Sequence, residues 1–90
     1  MLNSVVLMGT LKEKIDDNIR ILEVERDYKD NEGIFRCDRI KVKYWSNSST
    51  CTFMQIKEGV PVLIKGRFES VDDNLYVIVE SFDYLSQNNF

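Results

Sequence analysis

The segment over 34–45 constrains this chain more than any other. Its second half alternates residue by residue, with Ile40, Val42 and Tyr44 on one parity and Arg39, Lys41, Lys43 and Trp45 on the other. A period of two cannot form one face of a helix. It describes an extended strand with a dry side and a wet side. Such a strand is not stable alone; it needs partner strands and an apolar layer under its dry side. The rest of the chain must therefore supply a sheet.

It does so in short pieces. The apolar run over 2–11 (Leu2, Val5, Val6, Leu7, Met8) is short and β-branched enough for a strand, and Gly9 within it marks a bulge or tight bend. Over 19–25, Ile19, Ile21 (with Leu22) and Val24 are set against charged neighbours as a second strand. Asp30, Asn31 and Gly33 carry the turn chemistry that joins it to the third. After Trp45 the pattern changes. Ser46, Asn47, Ser48 and Ser49 are helix N-cap candidates, Cys51, Phe53, Met54 and Ile56 fit a short helical face, and Gly59 with Pro61 reads as its end. A fourth strand follows over 60–68, with Val60, Val62, Ile64 and Phe68 facing one way, Leu63, Lys65 and Arg67 the other, and Gly66 as an interruption. Asp72, Asp73 and Asn74 form a hairpin turn into a fifth strand over 75–84.

Three strands, a short helix and two strands, with glycines where a sheet must bend, predict an all-β fold. The expected architecture is a five-stranded OB-fold barrel with a short helix between strands three and four. It fills one domain over 1–86, with a frayed end at 87–90. A meander or SH3-like barrel is the alternative and has less use for the helix.

Composition excludes several classes of function. The chain has no histidine, no nucleophile elbow and no phosphate-cradling glycine loop, so an enzyme is not expected. Two cysteines, Cys37 and Cys51, without CxxC spacing or histidine cannot build a metal cage, and no cofactor is expected. They read as small, partly buried thiols of a reducing compartment. No apolar run approaches the roughly 20 residues of a membrane helix, and no basic segment precedes the first apolar run, which implies a cytoplasmic protein with no membrane partner.

The net charge of −3 is unevenly spread: −3 over 1–35, +5 over 36–67 and −5 over 68–90. The basic island (Arg36, Arg39, Lys41, Lys43, Lys57, Lys65, Arg67) coincides with the wet side of the third strand and with the fourth. A row of cations spaced two residues apart can track phosphates, and an aromatic among them can stack on a base. The candidate nucleic-acid-binding residues are therefore Arg39, Lys41, Lys43, Trp45, Lys65 and Arg67, extended by Phe35 on the parity of Arg39 and by Tyr28 at the exit of strand two. Tyr76 has the outward parity on strand five. A solvated strand face is also often rich in lysine and arginine, and Trp45 could instead cap the barrel or sit in a subunit interface.

Two segments resemble bacterial single-stranded DNA-binding proteins. These are Leu2-Asn3-Ser4-Val5-Val6-Leu7-Met8-Gly9-Thr10-Leu11 and Ile56-Lys57-Glu58-Gly59-Val60-Pro61-Val62-Leu63-Ile64-Lys65-Gly66-Arg67-Phe68, with Arg39-Ile40-Lys41-Val42 where that family has its central strand. The resemblance implies stacking at Tyr28 and at an aromatic that here is Cys37, a departure for which Phe35 could substitute. It implies homo-oligomers, dimers or tetramers, with 3–8 as a candidate intersubunit edge. It also implies an acidic recruiting tail, yet the chain ends at Asn89-Phe90, as in a truncated or tailless member similar in size to primosomal replication protein N. The implied function is sequence-nonspecific binding of single-stranded DNA in replication, repair or restart, with replication or restart proteins as further partners. A protein-interaction or assembly module, or a single-stranded RNA binder, is the alternative.

Overall fold

The computed structural model describes residues 2–46 and 51–84. The expected element order forms: β1 (Val5–Asp16), β2 (Ile19–Lys29), β3 (Phe35–Tyr44), α1 (Thr52–Gln55), β4 (Pro61–Val71) and β5 (Asn74–Tyr84). The strands close into a barrel in the order β1-β2-β3-β5-β4. Every contact between neighbours is antiparallel except β3 with β5, which is parallel and closes the barrel.

Closure depends on two glycines. Thr10 pairs with Pro61 of β4 and with Glu23 of β2, so β1 changes partner there. At the adjacent Gly9 the backbone of β2 comes so close that a Cβ would lie 2.4 Å from the Glu23 carbonyl oxygen. Gly66 lies where β5 carries an extra residue, Glu80, against β4, and a Cβ there would lie 1.9 Å from the Ile78 carbonyl oxygen. Only a residue without a side chain permits these approaches, which is why a curved sheet places glycine at its corners.

The core holds Leu11, Leu22, Val42, Val62, Ile64, Val77 and Val79 from the strands, closed at one end by Phe53 and Met54 of α1. Tyr44, Phe53 and Phe82 interlock there at centroid separations of 5.2 to 6.0 Å. The helix is shorter than its capping signals suggest. Its N-cap is Cys51, without a side-chain cap, and its C-cap is Ile56 rather than Gly59. Gly59 instead donates its N–H to the Leu11 carbonyl at 2.8 Å, tying the turn before β4 to β1. Asn47, Ser48 and Ser49, and the frayed end expected at 87–90, lie outside the described residues. Strands β1 and β2 run further than their apolar patterns, and the β4–β5 hairpin turns through Asp72 and Asp73 with φ of 50° and 66°. Two successive positive φ values are what a two-residue type I′ hairpin turn requires, and aspartate tolerates them better than most residues.

The inward residue at the start of β2 overturns the expected alternation. Arg20, not its isoleucine neighbours, faces the interior and is 1% exposed. Its guanidinium donates to the carbonyls of Lys12 (Nε 3.1 Å, Nη2 2.8 Å), Phe53 (Nη1 3.1 Å) and Ile56 (Nη1 2.5 Å). Burial pushes its pKa down, partly offset by Glu58. The carbonyls of Phe53 and Ile56 lie at the end of α1, where no intrahelical donor reaches them. Arg20 thus joins β1, β2 and the helix at one point. Arg20→Met keeps the apolar stem but strands three carbonyls, each costing about 1–3 kcal/mol when left unpaired in the interior. Urea unfolding followed by far-UV dichroism is expected to show a loss of roughly 3 kcal/mol or more. A loss below about 0.5 kcal/mol, the scale of a neutral surface change, would show that the clamp is dispensable.

Candidate nucleic-acid interface

With Arg20 and Leu22 facing in, Ile19 and Ile21 face out, yet both are buried and neither belongs to the core cluster. The register explains this. Ile19 lies opposite Lys43, and Ile21 opposite Lys41. Lys43 is in register with Ile78 of β5, and Ile78, also buried, lies opposite Arg67 of β4. The outer face therefore carries the row Ile19, Lys43, Ile78, Arg67 across four strands. Cross-strand neighbours have Cβ atoms about 5 Å apart, so the aliphatic stems of the cations cover the isoleucines while their charged ends reach water.

The next row holds Ile21, Lys41 and Tyr76. Lys41 Nζ stands 5.7 Å from the centroid of the Tyr76 ring, a cation–π contact. Further along β3, Arg39 lies opposite Glu23, and Phe35 lies opposite Lys29, whose Nζ stands 5.6 Å from the Phe35 ring centroid. At the other end, Trp45 follows the strand with its side chain 70% exposed and its ring 5.5 Å from that of Tyr44. Phe35, Arg39, Lys41, Lys43 and Arg67 thus share one side of the sheet, whereas the Trp45 ring lies against Tyr44, which packs on Phe53 at the helix end of the barrel.

Tyr28 and Lys65 stand apart from this group. Tyr28 precedes Lys29 and alternates to the opposite side of the hairpin, where it interacts with Arg26. Lys65 keeps the outward parity of Arg67 in β4 and lies opposite Val6 of β1 and Ser81 of β5. Cys37 is exposed rather than partly buried, Cys51 is half-buried, and both are free thiols.

The arginines are not free cations. Arg39 is bonded to Glu13 of β1 and lies 3.6 Å from Glu23. Arg67 donates to Glu69 at 2.8 Å and Glu80 at 2.9 Å, and these two carboxylates hold its pKa up. Arg36 is paired with Asp30 and Glu32. The acidic flanks of the sequence therefore fold back onto the basic island and neutralise its guanidiniums. Among the described residues, Lys41, Lys43 and Lys65 make no ion pair. One of these carboxylates was readable beforehand: Glu69 is two residues from Arg67, so a strand places both on one side. Finding Glu13 required the order in which strands close.

No family model matches the chain, and no curated protein matches it in sequence. Solved structures do match. A small single-stranded DNA-binding protein from Streptomyces coelicolor superposes with a TM-score of 0.68 at 16% identity, covering 93% of this chain and 95% of that one. The protein priB from Ralstonia solanacearum superposes with a TM-score of 0.65 at 13% identity, covering 94% and 100%. The dimeric N-terminal domain of PriB from Thermoanaerobacter tencongensis gives 0.54 at 19% identity, covering 94% and 98%. The chain has their fold, the OB-fold. Within this OB-fold the cation row occupies the outer side of β2, β3, β5 and β4. A second outer face, on β1 and β4, is apolar: Val6 and Met8 are exposed, and Met8, Pro61, Leu63 and Tyr84 line a groove of about 200 Å³.

The β2–β3 hairpin of the OB-fold is held by its own ion pairs. The Arg26 guanidinium, 2.8 Å from Asp38, holds that carboxyl below the usual range. Backbone donation from Ile34, followed by Arg36, does the same for Asp30. A carboxyl with a lowered folded pKa contributes stability above its unfolded value, about 4, and loses it as pH falls through the folded value. Acid titration followed by amide resonances is expected to loosen residues 26–38 below about pH 4, before the core unfolds. Asp38→Asn should flatten that transition near Arg26. An identical transition in variant and parent would assign it to other groups.

Proposed function

We propose that this OB-fold protein binds single-stranded DNA without reading its sequence and acts in replication, repair or strand restart, as a binding protein and not an enzyme. The observation that carries this reading is the unpaired Lys41–Lys43 couple on an outer sheet face, beside a 70% exposed tryptophan. The two lysines are two residues apart, about 7 Å along the strand, a spacing on the scale of successive phosphates. Lys65 supplies a third free ammonium further round the barrel. Trp45 and Phe35 offer stacking surfaces at the two ends of the row, and Tyr28 offers one from the reverse side of the hairpin. Arg39 and Arg67 join by exchanging a carboxylate for a phosphate. The matched structures from Streptomyces and Ralstonia, one of them named a single-stranded DNA-binding protein, support the same reading.

The apolar β1–β4 face favours a homo-oligomer, and the Thermoanaerobacter PriB domain is itself dimeric. Replication or restart proteins are further partners in this reading, and the cytoplasm is its compartment. Light scattering is expected to give at least a dimer, which Met8→Glu returns to monomer. A monomeric parent at tens of micromolar would remove this part of the proposal.

Titration with oligo-dT, followed by the fluorescence of the single tryptophan, tests the main reading. Three lysines and a slope of about −0.7 per phosphate predict log affinity falling with log salt at roughly −2. The double variant Glu13→Gln, Glu23→Gln frees Arg39 and is expected to bind more tightly, steepening the slope by about 0.7. Lys41→Glu with Lys43→Glu should abolish retention. Unchanged fluorescence and no retention at low salt would end the proposal, and preference for oligo-U in competition would reassign the ligand to RNA.

A further inference from the structure

A continuous run of aromatic rings passes around the helix end of the barrel and joins two exposed side chains. Trp45, the single tryptophan, follows β3 and is 70% exposed, with its ring 5.5 Å from that of Tyr44. The Tyr44 ring lies nearly parallel to Phe53 at 5.4 Å and edge-on to Phe82 at 6.0 Å. Phe82 in turn lies 6.2 Å from Tyr84, which is 46% exposed and opens onto the groove beside Met8. All of these spacings fall within the range of packed aromatic pairs, about 4.5–7 Å. Among the described residues, Tyr28, Phe35, Phe68 and Tyr76 make no ring-to-ring contact, so the other aromatics stand apart from this run. Core packing accounts for Phe53 and Phe82. It does not require that the run begin on an exposed indole and end on an exposed phenol, the two aromatic side chains that lose an electron most readily.

We propose that this run carries oxidising equivalents away from a bound strand, from a one-electron-oxidised guanine through Trp45 and Tyr44 to Tyr84 on the far surface. Guanine is the base that loses an electron most easily, and its radical cation regains one from the Trp45 indole. The indole radical cation releases its N–H proton to water. The neutral indolyl radical then takes an electron from a phenol and a proton from water, which restores tryptophan, and the phenol gives up its own proton as it is oxidised. At neutral pH the tyrosyl radical is the weaker oxidant of the two, so this step runs from indole to phenol. Tyr44 is half-buried, whereas Tyr84 meets water and sheds its proton there, and the radical comes to rest on Tyr84. Altogether one electron passes from Tyr84 to guanine, the O–H bond of Tyr84 breaks and its proton enters solvent, and Trp45 and Tyr44 are regenerated. A dissolved thiol completes the cycle by giving a hydrogen atom to the tyrosyl oxygen. Phe82 is not oxidised; it is the bridge across which the electron passes between the two phenols. The strand's part in this rests on reading the protein as a single-strand binder, and the path among the rings does not.

Azide radicals made by pulse radiolysis oxidise tryptophan in preference to tyrosine, and the chain offers them one indole, Trp45. In the free parent the indolyl absorbance is expected to decay as the tyrosyl absorbance rises, at a rate independent of protein concentration. Tyr84→Phe keeps the ring and removes the phenol, and is expected to lose most of that rise. Phe82→Leu, its fold checked by far-UV dichroism, keeps both phenols and is expected to slow it. A parent-like rise in Tyr84→Phe, or a parent rate that scales with concentration, would overturn the path. The second arm uses an oligo-dT that carries one guanine and a tethered photo-oxidant, saturated with protein. Oxidised guanine is expected to accumulate less with the parent than with Tyr84→Phe, whose altered position lies outside the cation row. Equal damage with both would overturn guanine as the source. Failure of the parent to bind the oligonucleotide would instead remove the single-strand reading, and guanine with it, while radical transfer in the free protein still decides the path.

Discussion

The structure depends on one buried guanidinium. Among the described residues Arg20 has no carboxylate hydrogen-bond partner in the barrel interior; three main-chain carbonyls satisfy it. A buried charge is costly unless its donors are all met, so this side chain fixes the positions of Lys12, Phe53 and Ile56 relative to β2. It also fixes which side of β2 faces inward. Because residue 20 points to the core, residues 19 and 21 point out, and two isoleucines lie beneath the lysines of β3. The outer face is thus a thin apolar layer roofed by cation stems. That layer supports the stems while their ammonium groups reach the surface, that of Lys41 over the Tyr76 ring.

The second organising constraint is the way a five-stranded sheet bends. Gly9 and Gly66 sit where another strand's carbonyl comes within contact distance, and β1 exchanges β4 for β2 at the same corner. Past that corner the acidic end of β1 runs beside β2, and Glu13 reaches across β2 to Arg39 of β3. The geometry that closes the barrel therefore also sets its surface charge. Distant segments of opposite sign become neighbours, and linear charge blocks overstate the field on the folded surface.

How far the sequence revealed this follows from the range of each interaction. The period of β3, the turn residues of both hairpins and the glycine corners act over a few residues, and all were legible. The succession of strands along the chain and the helix position followed from them. The side on which Arg20 lies was not legible, because hydrophobicity assigns isoleucine inward and only the carbonyls of α1 and β1 reverse it. The neutralisation of Arg39 was hidden for the same reason, since it requires a contact 26 residues away. Tyr28 stands at the exit of β2, and the side it faces was not assigned from the sequence, because the strand is irregular between Glu25 and Lys29.

The ion-pair network has one more consequence. Its carboxyls at Glu13, Asp30 and Asp38 are pushed down, its guanidiniums at Arg26 and Arg67 are held up, and the chain contains no histidine to titrate between them. Acidification from about pH 8 to about pH 5, the interval in which histidine switches operate, leaves these pairs in place. Ionic strength reaches them instead, because exposed pairs are screened within about 10 Å at 0.1 M salt. Mobile salt therefore loosens these carboxylates from their arginines, while acidification within that interval does not.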